Sequence, residues 1–291
     1  MKVTRGKIHQ YLGMQLDYSV KGKLKISMVD YVKKIVEEFS EEITSKATTP
    51  AAGHLFNVCD DAQPLTEKEA DEFHTVVARN LFLCKRARPD IQTAVAFLCT
   101  RVSKPDKDDW GKLVRLMKYL FGTKDMVLTL SGDATRLIKW WIDVSFAVHK
   151  DFKSHTGGTM SMGKGYIYSM STKQKLNTKS TTESELVGVD DVMPAIIWTN
   201  YFLEAQDYKT SGTIAYQDNK SAILLENNGK ASSSRRTRHI NIRYYFVTDR
   251  VKNNELKIEY CGTDDMVGDF FTKPLNGWKF VKFVKEIMNL E

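Results

Sequence analysis

The order of helices and strands in the second half of the chain is the feature that most constrains its fold. Three short runs of β-type residues, punctuated by glycines, precede a long amphipathic stretch from about Thr182 to Ala205. Strand and helix patterns then alternate up to a last helix, expected from about Thr263. Three antiparallel strands followed by this alternation predict an α/β (α+β) fold with a mixed sheet flanked by helices. Pro194 is expected to bend or interrupt the long helix.

The first part of the chain is patterned differently. Residues 7–39 show the alternation of a β-hairpin and then a helix, and three further helices are expected over residues 66–121. We therefore divide the chain into a hairpin-plus-helices segment, residues 1–130, and an α/β domain, residues 131–291. Because the hairpin has no visible partner strand, the first segment is expected to fold poorly by itself.

Composition excludes several classes of protein. With 42% hydrophobic and 27% charged residues, the chain is neither disordered nor collagenous. No apolar run approaches the roughly 20 residues of a membrane span, and the N-terminus lacks the apolar core of a signal peptide, so an intracellular protein without a membrane is expected. The four cysteines form no C-x-x-C pair, which argues against a disulfide framework and a zinc site. The net charge of +7 favours an anionic partner.

Four acidic residues fall where the predicted strands and helices converge: Asp143 and Asp218 at strand ends, Glu185 early in the long helix and Asp269 in the last helix. Any one of them alone is more often a cap or a solvated charge. Their apolar neighbours, however, place them at the rim of a core. Clustered carboxylates repel one another unless cations neutralise them, so a divalent-metal site is the chemistry that this pattern indicates.

A basic segment between two predicted helices is the second candidate site. It contains no acidic residue and carries six residues expected to bind nucleic-acid phosphates: Lys230, Arg235, Arg236, Arg238, His239 and Arg243. A merely solvated basic loop is the alternative, and a lone histidine at a helix start is more often a cap or a packed residue. His149 and His155, which flank the first predicted turn of the α/β domain, are expected to be exposed.

Several motifs together resemble the ribonuclease H region of copia-type LTR retrotransposon polyproteins. They are STKQKLNTKSTTESELVGV from Ser171, YQDNKSAILLENN from Tyr216, TRHINIRYYFVTDRV from Thr237 and IEYCGTDDMVGDFFTKPL from Ile258. Upstream, YLGMQLDY, RARPDIQTAVAFLCTRVSKP and WGKLVRLMKYLFGTKDMVL are similar to that family's segment between the reverse-transcriptase core and ribonuclease H. The resemblance covers nearly the whole chain and implies a ribonuclease H-like fold with a five-stranded mixed sheet.

The resemblance also implies an activity. The family's catalytic and metal-binding carboxylates fall on Asp143, Glu185, Asp218 and Asp269. The implied reaction is hydrolysis of the RNA strand of RNA–DNA hybrids with two Mg²⁺ ions, or Mn²⁺ in their place. Implied partners are the hybrid, the missing reverse-transcriptase core and the integrase of the same polyprotein. A cytoplasmic virus-like particle or the nucleus is the implied location.

The sequence departs from the family's pattern at several positions. Ser145 stands where a second acid is common, and the loop before the last predicted helix, where many ribonucleases H carry a histidine, contains none. Asp264 and Asp265 lie close enough to Asp269 to compete with it as the fourth ligand, although capping the helix is the favoured role for them. No Tyr-x-Asp-Asp polymerase motif occurs, so polymerisation by this chain alone is not expected.

Three other interpretations remain open besides an active ribonuclease H. The first is a noncatalytic, hybrid-binding structural fragment of the reverse transcriptase. The second is another nuclease of the same superfold, such as a resolvase or integrase. The third is a degenerate element, a translated genomic fossil or gene fragment, because Met1 falls within what resembles the middle of a reverse transcriptase.

Overall fold

The computed structural model describes residues 5–228 and 241–290, with the side chains of residues 241–245 left undescribed. The chain forms two compact units. The first comprises Met1–Gly132, Lys164–Tyr166 and Lys273–Glu291, and the second comprises Asp133–Gly163 and Ile167–Thr272. One division thus falls near residue 130, whereas the C-terminal residues from Lys273, assigned by sequence to the second domain, cluster with the first unit. The two-domain boundaries stay a prediction.

Among its described residues, the first unit combines a sheet with five α-helices. Its strands are β1 (Ile8–Tyr11), β2 (Met14–Asp17), β3 (Lys23–Ser27) and β4 (Leu128–Gly132), and its helices are α1 (Val29–Glu37), α2 (Glu67–Cys84), α3 (Gln92–Cys99), α4 (Lys107–Gly122) and, near the C-terminus, α8 (Gly277–Met288). The sheet order is β1-β2-β3-β4-β7, with the two-residue β7 (Gly163–Lys164) at one edge.

The predicted hairpin is part of this larger sheet. The turn between β1 and β2 uses positive φ at Leu12 (49°) and Gly13 (77°), the left-handed geometry that joins tightly paired strands. β3 pairs antiparallel with β4, with Leu24 opposite Leu130. The expectation of an unpartnered hairpin was therefore wrong, because its partner strand lies about a hundred residues further along the chain.

Side-chain caps and one buried ion pair stabilise the helices of the first unit. Thr66 and Glu69 form a capping box at α2, and Asp106 and Asp109 form another at α4. Ahead of α3, within a 3-10 turn region, the fully buried Arg88 guanidinium pairs with Asp90 at 2.8 Å. Such caps satisfy backbone groups that would otherwise lack partners at the helix ends.

The second unit contains a five-stranded sheet and three α-helices among its described residues. The strands are β5 (Ile138–Ser145), β6 (His155–Ser161), β8 (Tyr168–Lys173), β9 (Thr213–Gln217) and β10 (Lys257–Tyr260), and the helices are α5 (Thr181–Ala205), α6 (Lys220–Asn228) and α7 (Asn241–Lys252). A 3-10 helix, Val267–Phe271, follows β10.

The sheet of the second unit has the order β10-β9-β5-β6-β8. β5, β6 and β8 are antiparallel neighbours, whereas β9 runs parallel to β5 and β10 runs parallel to β9. Three antiparallel strands extended by two parallel strands beside the first one form the predicted mixed sheet. This order, with its helices, is the ribonuclease H-like fold that the sequence predicts.

The core of the second unit lies between the sheet and α5. Trp140, Ile142 and Met160 from the sheet pack with Val189, Val192, Met193 and Ile196 from the helix. Pro194 lies inside α5 without ending it, so of the two expected effects, a bend or an interruption, the interruption does not occur. The predicted last helix from Thr263 is also wrong, since its place is taken by turns and the short 3-10 helix. In the part of the chain that the structure describes, no helix has the length and apolarity to cross a bilayer.

Candidate active site

The parallel pairing of β5 and β9 brings two aspartates to one edge of the sheet. Trp141 pairs with Tyr216 in the parallel register, and each strand carries an aspartate two residues further on, Asp143 and Asp218. Asp143 is buried, with 2% of its surface exposed, while Asp218 is half-buried just beyond the end of β9. The carboxyl ends of parallel strands meet at the same edge, where ligands commonly bind in open α/β sheets.

The first turns of α5 supply Glu185. Ser180 caps this helix by accepting a hydrogen bond from the Glu183 N–H at 3.2 Å, which fixes where the helix begins. The buried Gln174 amide, just after β8, donates to the Ser184 carbonyl at 3.0 Å. Glu185 itself is buried, with 5% of its surface exposed. Its carboxylate is thus held on a helix turn that is tied to the sheet.

Asp143, Glu185 and Asp218 come together in the structure. Each offers one carboxylate oxygen, and these oxygens lie within 4.8 Å of one another. They come from two strand ends and a helix that are far apart in sequence. Asp269 lies in the 3-10 helix and is buried, but it is not a member of this group of mutually close ligand atoms among the described residues. The catalytic role of all four acids stays a prediction.

Glycines allow the elements of the site to approach closely. A Cβ added at Gly268 would lie 2.9 Å from the Asp143 Cβ, and one added at Gly188 would lie 2.4 Å from Cγ2 of Val144. Real Cβ atoms do not tolerate such distances, so any other residue at either position would force these elements apart. The 3-10 helix can therefore lie directly against the end of β5, and α5 can lie directly against the residue after Asp143.

Thr272 is a site residue that sequence reasoning missed. Its side chain is fully buried, and its hydroxyl donates a hydrogen bond to Oδ2 of Asp143. The threonine lies three residues after Asp269, within the motif VGDFFTKP that indicated the fourth acid. Only this motif could have pointed to it, because strand and helix periodicity carry no information about a contact across 129 residues of sequence.

The predicted nucleic-acid-binding residues fall almost entirely outside the described part of the chain. Five of the six lie outside the described residues: Lys230, Arg235, Arg236, Arg238 and His239. The sixth, Arg243, lies in α7, but its side chain is not described. Their proposed role therefore stays a prediction.

The two histidines near the first turn were wrongly expected to be exposed. His149 and His155 are buried, with 6% and 0% of their surfaces exposed, and their rings are joined by a hydrogen bond of 3.0 Å between Nε2 and Nδ1. His155 Nε2 also bonds the Ser171 hydroxyl at 2.7 Å. Burial lowers the pKa of His149 to about 4 and that of His155 to about 3, so both rings are neutral at pH 7.

The donor set of the carboxylate cluster fits a hard divalent cation. Mg²⁺ and Mn²⁺ prefer carboxylate oxygens, and three such oxygens from different residues lie within reach of a common ion. Two of the three side chains are buried, while Asp218 is half-buried. The arrangement can therefore hold a metal ion with one of its ligands partly accessible to solvent.

Sequence comparison finds retrotransposon polyproteins. The chain is 28% identical over 98% of its length to the retrovirus-related Pol polyprotein from transposon TNT 1-94 of Nicotiana tabacum. It is 27% identical over 96% of its length to that from transposon RE2 of Arabidopsis thaliana, and 22% identical over 92% to the transposon Ty1-BL Gag-Pol polyprotein of Saccharomyces cerevisiae. The chain spans only 22%, 19% and 16% of these polyproteins. No protein-family model matches it.

Structure comparison gives weaker likenesses. A foamy viral protease-reverse transcriptase in complex with an RNA/DNA hybrid matches with 9% identity and a TM-score of 0.48, covering 88% of this chain and 29% of that one. RNase H1 from Halobacterium salinarum matches with 10% identity and a TM-score of 0.29, covering 44% of this chain and 86% of that one. Both TM-scores are below 0.5, so the fold assignment rests on the strand order. The predicted resemblance is confirmed by the sequence matches: along nearly its whole length, this chain is similar to the Pol polyproteins of retrotransposons.

Proposed function

We propose that this chain is the ribonuclease H segment of a copia-type retrotransposon polyprotein, together with the reverse-transcriptase connection segment that precedes it. Its reaction is the hydrolysis of the RNA strand of RNA–DNA hybrids. The observation that carries the proposal is the convergence of Asp143, Glu185 and Asp218, whose ligand oxygens lie within 4.8 Å of one another on a ribonuclease H-like sheet.

The electrostatics of the cluster support metal dependence. Three carboxylates at such distances repel one another, and the low dielectric around Asp143 and Glu185 strengthens that repulsion. This repulsion must be offset by protons or by cations. A divalent cation that takes oxygen ligands would offset it and could also take part in the reaction. We infer that two Mg²⁺ ions, or Mn²⁺, are held here by Asp143, Glu185 and Asp218, with Asp269 as the fourth ligand.

The residues of the chain have distinct parts in this reaction. Divalent ions held by these carboxylates would activate a water molecule and stabilise the leaving oxygen of a phosphodiester. Asp143 and Glu185, on a strand and a helix of the core, fix the ligand oxygens with little freedom to move. Asp218 is half-buried, and the scissile phosphate is proposed to approach the cluster from its side. Products with 5′-phosphate and 3′-hydroxyl ends are expected.

Recognition of the hybrid is proposed to depend on shape and charge. Contacts to the 2′-hydroxyl and to the hybrid backbone discriminate RNA without base reading. The basic residues Lys230, Arg235, Arg236, Arg238, His239 and Arg243 are proposed to bind phosphates beside the carboxylates. The rest of the reverse transcriptase and the integrase of the same polyprotein are the proposed protein partners, within a cytoplasmic virus-like particle or the nucleus.

A cleavage assay tests this function. The purified chain is incubated with a labelled RNA–DNA hybrid in Mg²⁺, beside its Asp143→Asn and Asp218→Asn variants, and an RNA duplex serves as the substrate control. Asp207→Asn is the matched control variant, because Asp207 is exposed in a loop, with a positive φ that asparagine tolerates. We expect wild type and the Asp207 variant to cut only the hybrid, and both site variants to be at least about a hundredfold slower.

The same assay separates the alternatives. An inert wild type that binds the hybrid in a salt-dependent manner identifies a noncatalytic binding module. Cleavage of the RNA duplex at the same rate contradicts the proposed specificity. Asp264→Asn and Asp265→Asn variants test the fourth ligand. If one of them is inactive while Asp269→Asn keeps full activity, the fourth ligand is that neighbouring acid and not Asp269.

A further inference from the structure

We propose that Thr272 is a positioning residue that fixes the Asp143 carboxylate for metal binding. The proposal rests on the proposed function, since it assumes that Asp143 is a metal ligand. Thr272 directly follows the 3-10 helix and is fully buried. Its hydroxyl donates to Oδ2 of Asp143, joining the end of the 3-10 helix to the strand that carries the ligand.

The orientation of the Thr272 side chain is set by its surroundings. Its backbone N–H donates to the Asp269 carbonyl at 3.2 Å, which closes the last turn of the 3-10 helix. Its methyl group packs over Gly157 on β6, where an added Cβ would lie 2.6 Å from Thr272 Cγ2. A β-branched side chain has few χ1 rotamers, so placing the methyl group on the glycine also places the hydroxyl.

The hydroxyl has two acceptors within reach. Besides Oδ2 of Asp143, the carbonyl of Asp269 lies 3.3 Å from Oγ1 of Thr272. A hydroxyl has one hydrogen, and a hydrogen bond to an ionised carboxylate is roughly twice as strong as one to a neutral carbonyl. The Asp143 carboxylate is therefore the preferred acceptor whenever it is ionised, which is the form that binds a metal ion.

Asp143 is constrained from two other directions as well. Its backbone lies in β5 opposite Gly157 of β6, and Gly268 allows the 3-10 helix to lie against its Cβ. These contacts fix the backbone and the base of the side chain. The hydrogen bond from the Thr272 hydroxyl acts on the carboxylate itself and restricts its rotation. Groups that orient a metal ligand in this way change metal affinity or activity by about 10- to 100-fold when they are removed.

Two substitutions separate the hydroxyl from the packing. Thr272→Val keeps the branched shape over Gly157 and removes the donor, whereas Thr272→Ser keeps the donor and removes the methyl group. Thr199→Val is the matched control, because the Thr199 side chain is also buried and its hydroxyl donates to the Ala195 carbonyl within α5, outside the carboxylate cluster.

The experiment measures Mn²⁺ binding to the full chain by isothermal titration calorimetry, with the thermal unfolding midpoint of each variant recorded beside it. We expect Thr272→Val to weaken Mn²⁺ binding by about 10- to 100-fold, and Thr272→Ser and Thr199→Val to remain within about threefold of wild type. Hybrid cleavage by Thr272→Val should recover as the Mn²⁺ concentration is raised, since its ligands are misplaced rather than lost.

Three outcomes overturn the proposal, and they are distinguishable. A folded Thr272→Val variant with wild-type Mn²⁺ affinity shows that the hydroxyl positions nothing. Equal weakening by Thr272→Val and Thr272→Ser assigns the effect to packing. A wild type that neither binds Mn²⁺ nor cleaves the hybrid refutes the proposed function itself. If Thr272→Val does not fold, Thr272→Ala beside Thr272→Ser makes the same comparison of donor and no donor.

Discussion

The buried pair of histidines should make the second unit sensitive to mild acid. His149 and His155 lie against each other at 3.0 Å, and burial lowers the pKa of His149 to about 4 and that of His155 to about 3. The ordinary pKa of an unfolded histidine is about 6.5. Between pH 6.5 and pH 4, both histidines are therefore protonated in the unfolded chain but remain neutral in the folded chain. The stability contributed by the neutral pair is therefore present above pH 6.5 and is lost as the pH falls towards 4.

The magnitude follows from proton linkage. Each histidine that is protonated only in the unfolded state lowers the free energy of unfolding by about 1.4 kcal/mol per pH unit. From pH 8 to pH 5, the pair should lower the free energy of unfolding by about 4 kcal/mol. This is a large part of the roughly 5 to 15 kcal/mol that stabilises a typical domain. The second unit is thus expected to be markedly less stable at pH 5 than at pH 8, because the histidines are still neutral in the folded state at pH 5.

Urea unfolding between pH 8 and pH 5, read by hydrogen exchange of the β6 amides, measures this effect. A His149→Gln, His155→Gln double variant should lose much less stability over the same range than wild type. His74→Gln is the control, because His74 is exposed on α2 and should leave the pH dependence unchanged. NMR titration of the imidazole rings gives the direct test, since a wild-type His155 ring that titrates near pH 6.5 in the folded protein would refute the reasoning.

Three further predictions follow from buried groups. Glu226 is fully buried beside Gln217, and burial raises its pKa to about 8. Its contribution to stability therefore falls as the pH rises from 4.5 to 8. Glu226→Gln should raise the free energy of unfolding at pH 7, measured by urea titration, by roughly 2 to 3 kcal/mol. Gly188→Ala should lower the free energy of unfolding by about 1 to 3 kcal/mol, because the added Cβ clashes with Val144. Gly111→Ala on α4, where nothing lies near the added Cβ, should raise it by up to about 1 kcal/mol. Equal effects of the two substitutions in urea unfolding would contradict this prediction. Arg88→Met should cost about 3 to 5 kcal/mol in thermal or urea unfolding by leaving a buried carboxylate uncompensated, and a loss below about 1 kcal/mol would contradict the buried ion pair.

The sequence predicted most of the second unit because its elements are long and strongly patterned. The helix from Thr181 has its cap at Ser180, and apolar residues recur along it at helical spacing. The strand ends that carry Asp143 and Asp218 are marked by apolar runs directly before them. Asp143 and Asp218 meet because a parallel pair of strands must end at the same edge of the sheet, and the first turns of α5 add Glu185.

The sequence could not predict features that depend on tertiary contacts. The hairpin's partner, β4, follows the helices, and nothing local links them. His155 was expected at an exposed turn, but its ring is satisfied by His149 and Ser171 inside the fold. Asp269 was assigned to a helix expected from about Thr263, whereas turns and a short 3-10 helix occupy that stretch. For the hairpin and for His155, a contact across the fold outweighed the local pattern.

The most direct test of the central claim is to locate the metal ions. Crystals of the protein are soaked in Mn²⁺, and anomalous diffraction is recorded for wild type and for Asp143→Asn. We predict anomalous peaks within about 2.3 Å of carboxylate oxygens of Asp143, Glu185 and Asp218, and their loss or marked weakening in the variant. Mn²⁺ bound elsewhere, or no peak at this cluster in a wild-type protein that cleaves RNA–DNA hybrids, would contradict the account.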